Sequence, residues 1–528
     1  MKKRLKLRSI VKSMTAISLA AILFFSAGFS SHAAVLGIDV SKWNGGIDWG
    51  SVAASGVSYT FIKVGSIKSG IDPNFAANVT SAQACGLKTG VYIYSYATSV
   101  EAAVNEANLV LQWIEGYNIN FPVAFDIEDK TQKGLDPNTV TAMCNAFCDV
   151  IAGAGYYPIV YTYTNFYRGH MTGDLRYDKW IAQYASSCAI PDFSIWQASQ
   201  TGSIPGVPGN VDINYMVKDY NAIIIPVGFI QRGDFVYFYN NYRMQFGWVE
   251  FNGGRYHMDA AGHMNTGWFQ DESGLYYLAT DGHALVGPNQ IGEDFFYFTE
   301  NGNNVGGWIT IGEQKFYYDP LNGNRMLKGW FQDETGRHYL FPGDGHMVTG
   351  AITIDNKNYL FNPEGAMMTG WQEIGGQKFY YNPVDGAMHT GWLGDISNRY
   401  YFSPVNGAMM TGVQNIDGNI YYLDVKTGQM LTGWQTIGAA NYYFDPMTGA
   451  MYKGLIPGVD GTYYTSEVDG HQAINEAVMI GKNAYVFGAD GKMVINQLVQ
   501  IGDMLYLTDT TGVVVATAPA NPAPAPAQ

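Results

Sequence analysis

Residues 121–130 read FPVAFDIEDK. The run from Val123 to Ile127 is a short, continuous apolar strand, and it ends in acid. Asp126 and Glu128 lie two apart, which on an extended strand puts both carboxylates on one side. Neither suits a core, since an ionised carboxylate is rarely buried without a partner. Two carboxylates side by side push one pKa up. That leaves one neutral acid beside one ionised base or electrostatic partner, the division of labour that glycoside hydrolysis needs. On its own the pair also fits a solvated turn or a metal site, so the rest of the chain has to decide.

Outward from this strand, residues 34–226 alternate strands with helices. Strands are expected over 35–40, 59–65, 89–97, 121–128, 157–163, 180–185, 193–199 and 211–216, with helices over 49–55, 74–85, 100–116 and 137–154 in the first four gaps. A short helix fits after the fifth strand, and the last three strands follow one another with little room for helices. The pattern predicts an α/β domain, a β/α barrel that is β-only at its end, with its site at the C-terminal strand ends. The remaining acids fall there: Asp39 in GIDVSKWN on the first strand and Asp212 in NVDINY on the last. Trp43, Tyr94, Tyr96, Tyr161, Tyr184 and Trp196 accompany them as candidates to stack on the apolar faces of sugars. Core packing is the competing reading for any one of these rings.

At 528 residues the chain exceeds one ordinary domain. Only 14% of residues are charged, 15% are aromatic and 63 are glycine, a composition of short strands, tight turns and exposed rings rather than disorder. A net charge of −15 argues against a nucleic-acid partner. It also argues against loose sticking to a polyanionic surface, so attachment there calls for dedicated sites. Cys85, Cys144, Cys148 and Cys188 make no disulfide scaffold. Cys144 and Cys148, one helical turn apart, read as small buried hydrophobes, and no further Cys or His stands at metal-ligand spacing. Lys2, Lys3, Arg4, Lys6, Arg8 and Lys12 precede an apolar run over 14–29 and the pattern Ser31-His32-Ala33-Ala34, which predicts a secretory signal peptide over 1–33. The apolar run is short for an anchor, so the mature chain is expected outside the cell and not in a membrane.

From 227 to 516 the chain repeats itself every 20 to 22 residues. Gly-Trp pairs place Trp248, Trp268, Trp308, Trp330, Trp371, Trp392 and Trp434, while Gly287-Pro288, Gly350-Ala351, Gly412-Val413 and Gly454-Leu455 fill the missing phases. Each unit reads as strand, turn, strand, turn, as in GWITIGEQKFYYDPLNGNRMLKG with turns at Gly312 and Asn322-Gly323. One such hairpin cannot bury a core, so an all-β hairpin solenoid of about thirteen units is expected. The tryptophans, with Tyr318, Tyr381, Tyr401 and Tyr443, are the candidate ligand-binding residues of the repeats, and solenoid core is the competing reading. Residues 517–528 form an Ala/Pro-rich tail expected to be extended.

In order, GIDVSKWNGGIDW, YTFIKVG, GVYIYSYA, FPVAFDIED, YPIVYTYTNFY, KWIAQYA, IWQAS and VDINY resemble the glycoside hydrolase family 25 (Chalaropsis-type) lysozymes over essentially all of 35–220. The resemblance implies a flattened TIM-like β/α barrel. It also implies hydrolysis of the β-1,4 bond between N-acetylmuramic acid and N-acetylglucosamine in peptidoglycan, with no metal and no cofactor. Carried over by motif, Glu128 matches the general acid, Asp126 its partner carboxylate, and Asp39 and Asp212 the two further acids of the floor. The family is regarded as retaining. Either a carboxylate is the nucleophile, which needs carboxyls about 5–5.5 Å apart, or the substrate's own N-acetyl oxygen is, oriented by Asp126. The second is favoured here.

The repeats resemble the cell-wall-binding repeats of choline-binding proteins, and the related repeats of clostridial toxins and glucan-binding glucosyltransferases. That implies aromatic cages at hairpin junctions, suited to a quaternary ammonium by cation–π attraction or to a sugar face by stacking. Choline-binding repeats carry a second Trp before the Tyr pair. Here Phe316 or Phe379 stands there, or the run starts at Tyr400 or Tyr442, so teichoic acid or a wall glycan is favoured over choline. The expected whole is a secreted, wall-associated lysozyme of wall turnover or bacteriolysis, held by avidity, with a dimer through the repeats also compatible. The alternative, a non-catalytic wall- or glycan-binding adhesin, is opposed by the four intact acids.

Overall fold

The computed structural model describes residues 34–520. The expected signal peptide over 1–33 and residues 521–528 of the tail lie outside the described residues. Two compact units divide the chain: one runs through Asn289 and includes Phe298–Asn304, the other comprises Gln290–Tyr297 and everything from Val305.

The first unit opens with strands β1 (Val35–Val40), β2 (Tyr59–Ser66), β3 (Gly70–Ile71), β4 (Lys88–Tyr94), β5 (Val123–Asp126), β6 (Pro158–Tyr163), β7 (Asp178–Ala182), β8 (Ile195–Gly202) and β9 (Val211–Met216). Helices α1 (Trp49–Ala54), α2 (Phe75–Ala84), α3 (Val100–Trp113), α4 (Pro137–Gly153) and α5 (Thr164–His170) run between them. Ser99 caps α3 and Asp136 caps α4, which has Pro137 as its first residue. The strand order β1-β9-β8-β7-β6-β5-β4-β2 closes on itself through the β1–β2 pair. β9 runs antiparallel to both of its neighbours. This is the β/α barrel with a β-only end. The two-residue β3, paired to the end of β2, was not expected, being too short to leave a pattern.

Side-chain alternation along the strands makes two cores. Outward residues such as Ile62, Val91, Val123, Phe125 and Ile127 pack under the helices, with Phe125 and Phe147 stacked at 4.3 Å. Inward, Tyr59, Phe61, Ala124, Ile159, Tyr161, Trp180 and Ile195 plug the barrel. Cys144 and Cys148 are buried on α4, and burial pushes both thiols up, in keeping with a packing role. No helix among the described residues is long and apolar enough to cross a membrane.

Among the described residues from Val227 onward, the strands form hairpins in fourteen small antiparallel sheets. The first is fixed to the barrel. The Met244 N–H donates to the Gly155 carbonyl at 2.9 Å, the Arg243 guanidinium lies 5.2 Å from the Tyr156 ring, and Lys88 lies 4.9 Å from the Tyr242 ring. In the second unit each hairpin is latched to the one before. The backbone N–H groups of Met367, Met388, Met409, Met430 and Met451 donate to the carbonyls of Arg337, Asn358, Lys378, Arg399 and Ile420 at 2.7–2.8 Å. The same methionines reach the hairpin after: a Cβ at Gly386, Gly407, Gly428, Gly449 or Gly470 would strike their sulfur atoms. These glycines also hold φ between 73° and 83°, a conformation that glycine adopts at no steric cost. The final strand, Val514–Pro519, pairs with Met504–Thr508. The tail expected from 517 is therefore strand through Pro519, because Val514, Val515 and Thr517 favour extended pairing before the prolines begin.

Gly37 faces inward on β1, where a Cβ would come within 2.2–2.5 Å of the Tyr59 ring atoms. Gly37→Ala is expected to destabilise the barrel by about 1–3 kcal/mol through overpacking. Calorimetry should read this as a Tm several degrees lower, and an unchanged Tm would contradict the packing described.

Candidate active site

The barrel brings all four acids to one end. Asp39 stands near the end of β1, Asp126 closes β5, and Glu128 lies two residues beyond. Asp212 is the second residue of β9. Because β9 runs antiparallel, its start lies at the finishing end of the parallel strands, and Asp212 pairs directly with Asp39. Tyr94 on β4 and Tyr161 on β6 pair with Asp126 from either side.

Asp39 is 7% exposed. Its Oδ1 accepts from Gln197 Nε2 at 2.9 Å and from Asn214 Nδ2 at 2.8 Å, and its carboxyl hydrogen-bonds that of Asp212. Both amides are themselves fixed. Asn214 Oδ1 accepts from Trp180 Nε1 at 2.8 Å, and Gln197 Oε1 accepts the hydroxyls of Tyr161 and Tyr184 at 3.0 Å each. Asp126 is 4% exposed, with its Oδ1 buried and unpartnered. Glu128 and Asp212 are half-buried and reach solvent. Lys63 points inward from β2, its Nζ 4.9 Å from the Tyr94 ring, and its charge acts on both Asp126 and Glu128.

Burial raises all four carboxyls. Asp126 is pushed well up by burial and then by the charge of Glu128. Glu128 is raised by burial and then by Asp39, with Lys63 pulling the other way. Asp39 is raised by burial against the opposing effect of its amide donors, and Asp212 is pushed up to about 8 by burial and by Asp39 beside it. The cluster can therefore hold a proton at neutral pH on Asp212, a carboxyl that reaches solvent.

The candidate rings separate. Trp43 (83% exposed) and Tyr184 (52% exposed) stand open to solvent. Tyr94 and Tyr96 are half-buried with ring centroids 5.1 Å apart, and Lys68 lies 3.5 Å over Tyr96. Glu106 of α3 fixes this turn by accepting the Ser95 hydroxyl at 2.6 Å and the Tyr96 N–H at 2.9 Å. Tyr161 is buried and forms floor rather than wall. Trp196 is not brought to the acids. Gln197 faces them, so Trp196 turns to the other side of β8, donating to the Gln183 carbonyl at 2.8 Å and lying 5.9 Å from Tyr215. Sequence reasoning missed Gln197, Asn214 and Lys63.

In the hairpins each tryptophan faces a ring across the strand pair: Trp268 faces Tyr277, Trp330 Tyr339, Trp371 Tyr380, Trp392 Tyr401 and Trp434 Tyr443. Tyr401 and Tyr443 thus stand beside tryptophans. Tyr318 and Tyr381 do not: they are 1% and 3% exposed and belong to the core. The rings opposite Trp308 and Trp371 are Tyr317 and Tyr380, since a one-residue step changes the face. A third ring arrives from the next hairpin, Tyr359 at 5.0 Å from Trp330, Tyr400 at 5.0 Å from Trp371, Tyr421 at 4.9 Å from Trp392 and Tyr463 at 5.4 Å from Trp434. Trp248 and Trp308 are tied by Nε1 to Asp271 at 2.7 Å and to Asp333 at 2.9 Å.

Raised carboxyl pKa values have a definite sign in stability. Between the ordinary aspartate value of about 3.9 and the value of about 8 at Asp212, the folded barrel holds a proton that the unfolded chain has released. The stability from that proton is complete on the acid side and is lost as pH rises through this window. Asp212→Asn should flatten the fall of unfolding free energy with pH measured by denaturant titration. A slope equal to the parent's would refute the assignment.

The family model for glycosyl hydrolases family 25 matches residues 38–207. Choline-binding repeat models match residues 348–391, 368–413, 389–432 and 431–476, and a cell wall binding repeat model matches 266–284. The chain is 29% identical over 181 residues to the autolytic lysozyme of Clostridium acetobutylicum, covering 34% of this chain and 54% of that protein. It is 31% identical over 188 residues to the uncharacterized protein YegX of Escherichia coli K12, covering 34% and 68%. It is 28% identical over 204 residues to lysozyme M1 of Streptomyces globisporus, covering 35% and 69%. The match thus spans about half the length of the autolytic lysozyme. With the acid-ended barrel, these likenesses establish that the chain belongs to glycosyl hydrolases family 25.

Proposed function

We propose that the chain is a lysozyme, an N-acetylmuramidase that hydrolyses the β-1,4 bond between N-acetylmuramic acid and N-acetylglucosamine in peptidoglycan. One observation carries the reading. Glu128, a carboxyl of raised pKa that reaches solvent, stands with the buried Asp39 and Asp126 at the barrel end. In this reading Glu128 protonates the leaving glycosidic oxygen, a role that suits a carboxyl whose pKa is raised by burial and by the charge of Asp39. The acetamido oxygen of the muramic residue closes on the anomeric carbon as the bond to the leaving sugar breaks. Asp126 accepts the acetamido N–H and so holds the acetamido oxygen toward the anomeric carbon. Water then opens the cyclic intermediate, giving its proton to Glu128, so configuration is retained. Trp43, Tyr184, Tyr94 and Tyr96 supply faces for the sugars, and Gln197 and Asn214 hold the floor. The lysozymes among the relatives support this reading.

The hairpins serve as the grip on the wall. Three rings, with each tyrosine tilted 61–75° to the tryptophan, make a cage for a quaternary ammonium, which favours choline-bearing wall polymers over bare glycan. The absent second tryptophan does not count against choline, because a tyrosine from the next hairpin stands in as the third wall. The matched choline-binding repeat models support the same choice. The basic and apolar N-terminal stretch supports export, and with it a role in wall turnover or bacteriolysis.

Glu128→Gln should lower release of fragments from purified Gram-positive walls by about 10²–10⁴-fold, the usual worth of a general acid. Mass spectrometry of the parent's products should find muramic acid at the new reducing ends. Glucosamine there, or undiminished release by the variant, would sink the proposal.

A further inference from the structure

We propose that Arg337 and Arg399 close the cages they belong to, leaving those at Trp371 and Trp434 open to an external cation. This rests on the reading of the three-ring junctions as ammonium cages. The four cages of the second unit share one plan: a tryptophan, the tyrosine across the strand pair, and a tyrosine from the next hairpin. The residue two before the cross-strand tyrosine lies on that tyrosine's face of the strand. It is Arg337, Lys378, Arg399 and Asn441 in the four cages.

The two arginines use this position alike. The guanidinium carbons of Arg337 and Arg399 each lie 4.2 Å from the ring centroid, of Trp330 and Trp392 respectively. A planar guanidinium stacks on indole and is only weakly hydrated. Being tethered, it stands at high effective concentration, so an incoming ammonium has to displace it. Exposure follows the same division: Trp330 and Trp392 are half-buried, whereas Trp371 is 44% and Trp434 37% exposed. Among the described residues no cation lies over Trp371 or Trp434. Lys378 is exposed, and Asn441 turns to Gln472 at 3.0 Å and to the Thr436 hydroxyl at 2.8 Å. The first unit repeats the device. Arg255, two before His257, lies 4.0 Å from Trp248 and 5.6 Å from Tyr276, and donates to the Asn301 carbonyl at 2.7 Å.

The test compares the full chain with two variants, by calorimetric titration with choline chloride and by acrylamide quenching of indole fluorescence. R337N/R399N gives both closed cages the residue that the open cage at Trp434 carries, and should bind two more cholines per chain with stronger quenching. N441R places an arginine at an open cage and should bind one fewer, with weaker quenching. Stoichiometry unchanged in both variants while the parent binds choline would overturn the proposal. If choline binds neither parent nor variants, the choline reading of the hairpins fails. Quenching then decides occlusion alone: unchanged constants overturn it, and the stated changes uphold it.

Discussion

Closing the barrel forces Asp39 and Asp212 into register across the seam between β1 and β9. Two carboxyls side by side, one of them buried, resist ionising together. Much of what surrounds them answers that constraint. Gln197 and Asn214 spend their amide N–H groups on Asp39, and their carbonyls are taken by Tyr161, Tyr184 and Trp180. Tyr161 and Trp180 also plug the barrel. Interior packing and site electrostatics are therefore largely one set of side chains, and a change to the plug reaches the acids through two amides.

The hairpins follow a different logic. No deep core exists in any one of them, and their order comes from the neighbour on either side. Their three-ring clusters sit at the same junctions, since the third ring of each belongs to the next hairpin. A chain with a net charge of −15 gains little from general attraction to a polyanionic surface, so attachment to one calls for local sites of this kind.

The barrel was legible because its signals are local. Apolar runs, helix caps and strand-end acids mark the eight strands and place Asp39, Asp126, Glu128 and Asp212 with little ambiguity. What escaped depends on parity and on distant pairing. Trp196 and Gln197 are adjacent, and only the strand's facing decides that the amide meets the acids and the ring does not. Tyr318 and Tyr381 miss the tryptophans by one residue for the same reason. Gln197 and Asn214 are neutral amides on strands and look like filler until Asp39 arrives from the far end of the barrel sequence. Lys63 reads as a surface lysine, yet β2 turns it inward. The tyrosine that completes each cage lies on another hairpin, and no single repeat reveals it.

The methionine latch has a direction. One hairpin's N–H takes the carbonyl behind it, and its sulfur fills the glycine notch ahead. Such a joint is modular in the way of a link in a chain: whole links can be gained or lost without redrawing the others, because stability in a linear stack is close to a sum over neighbours. The number of links is then nearly free of the demands of folding, and the stack can lengthen or shorten without a change of fold.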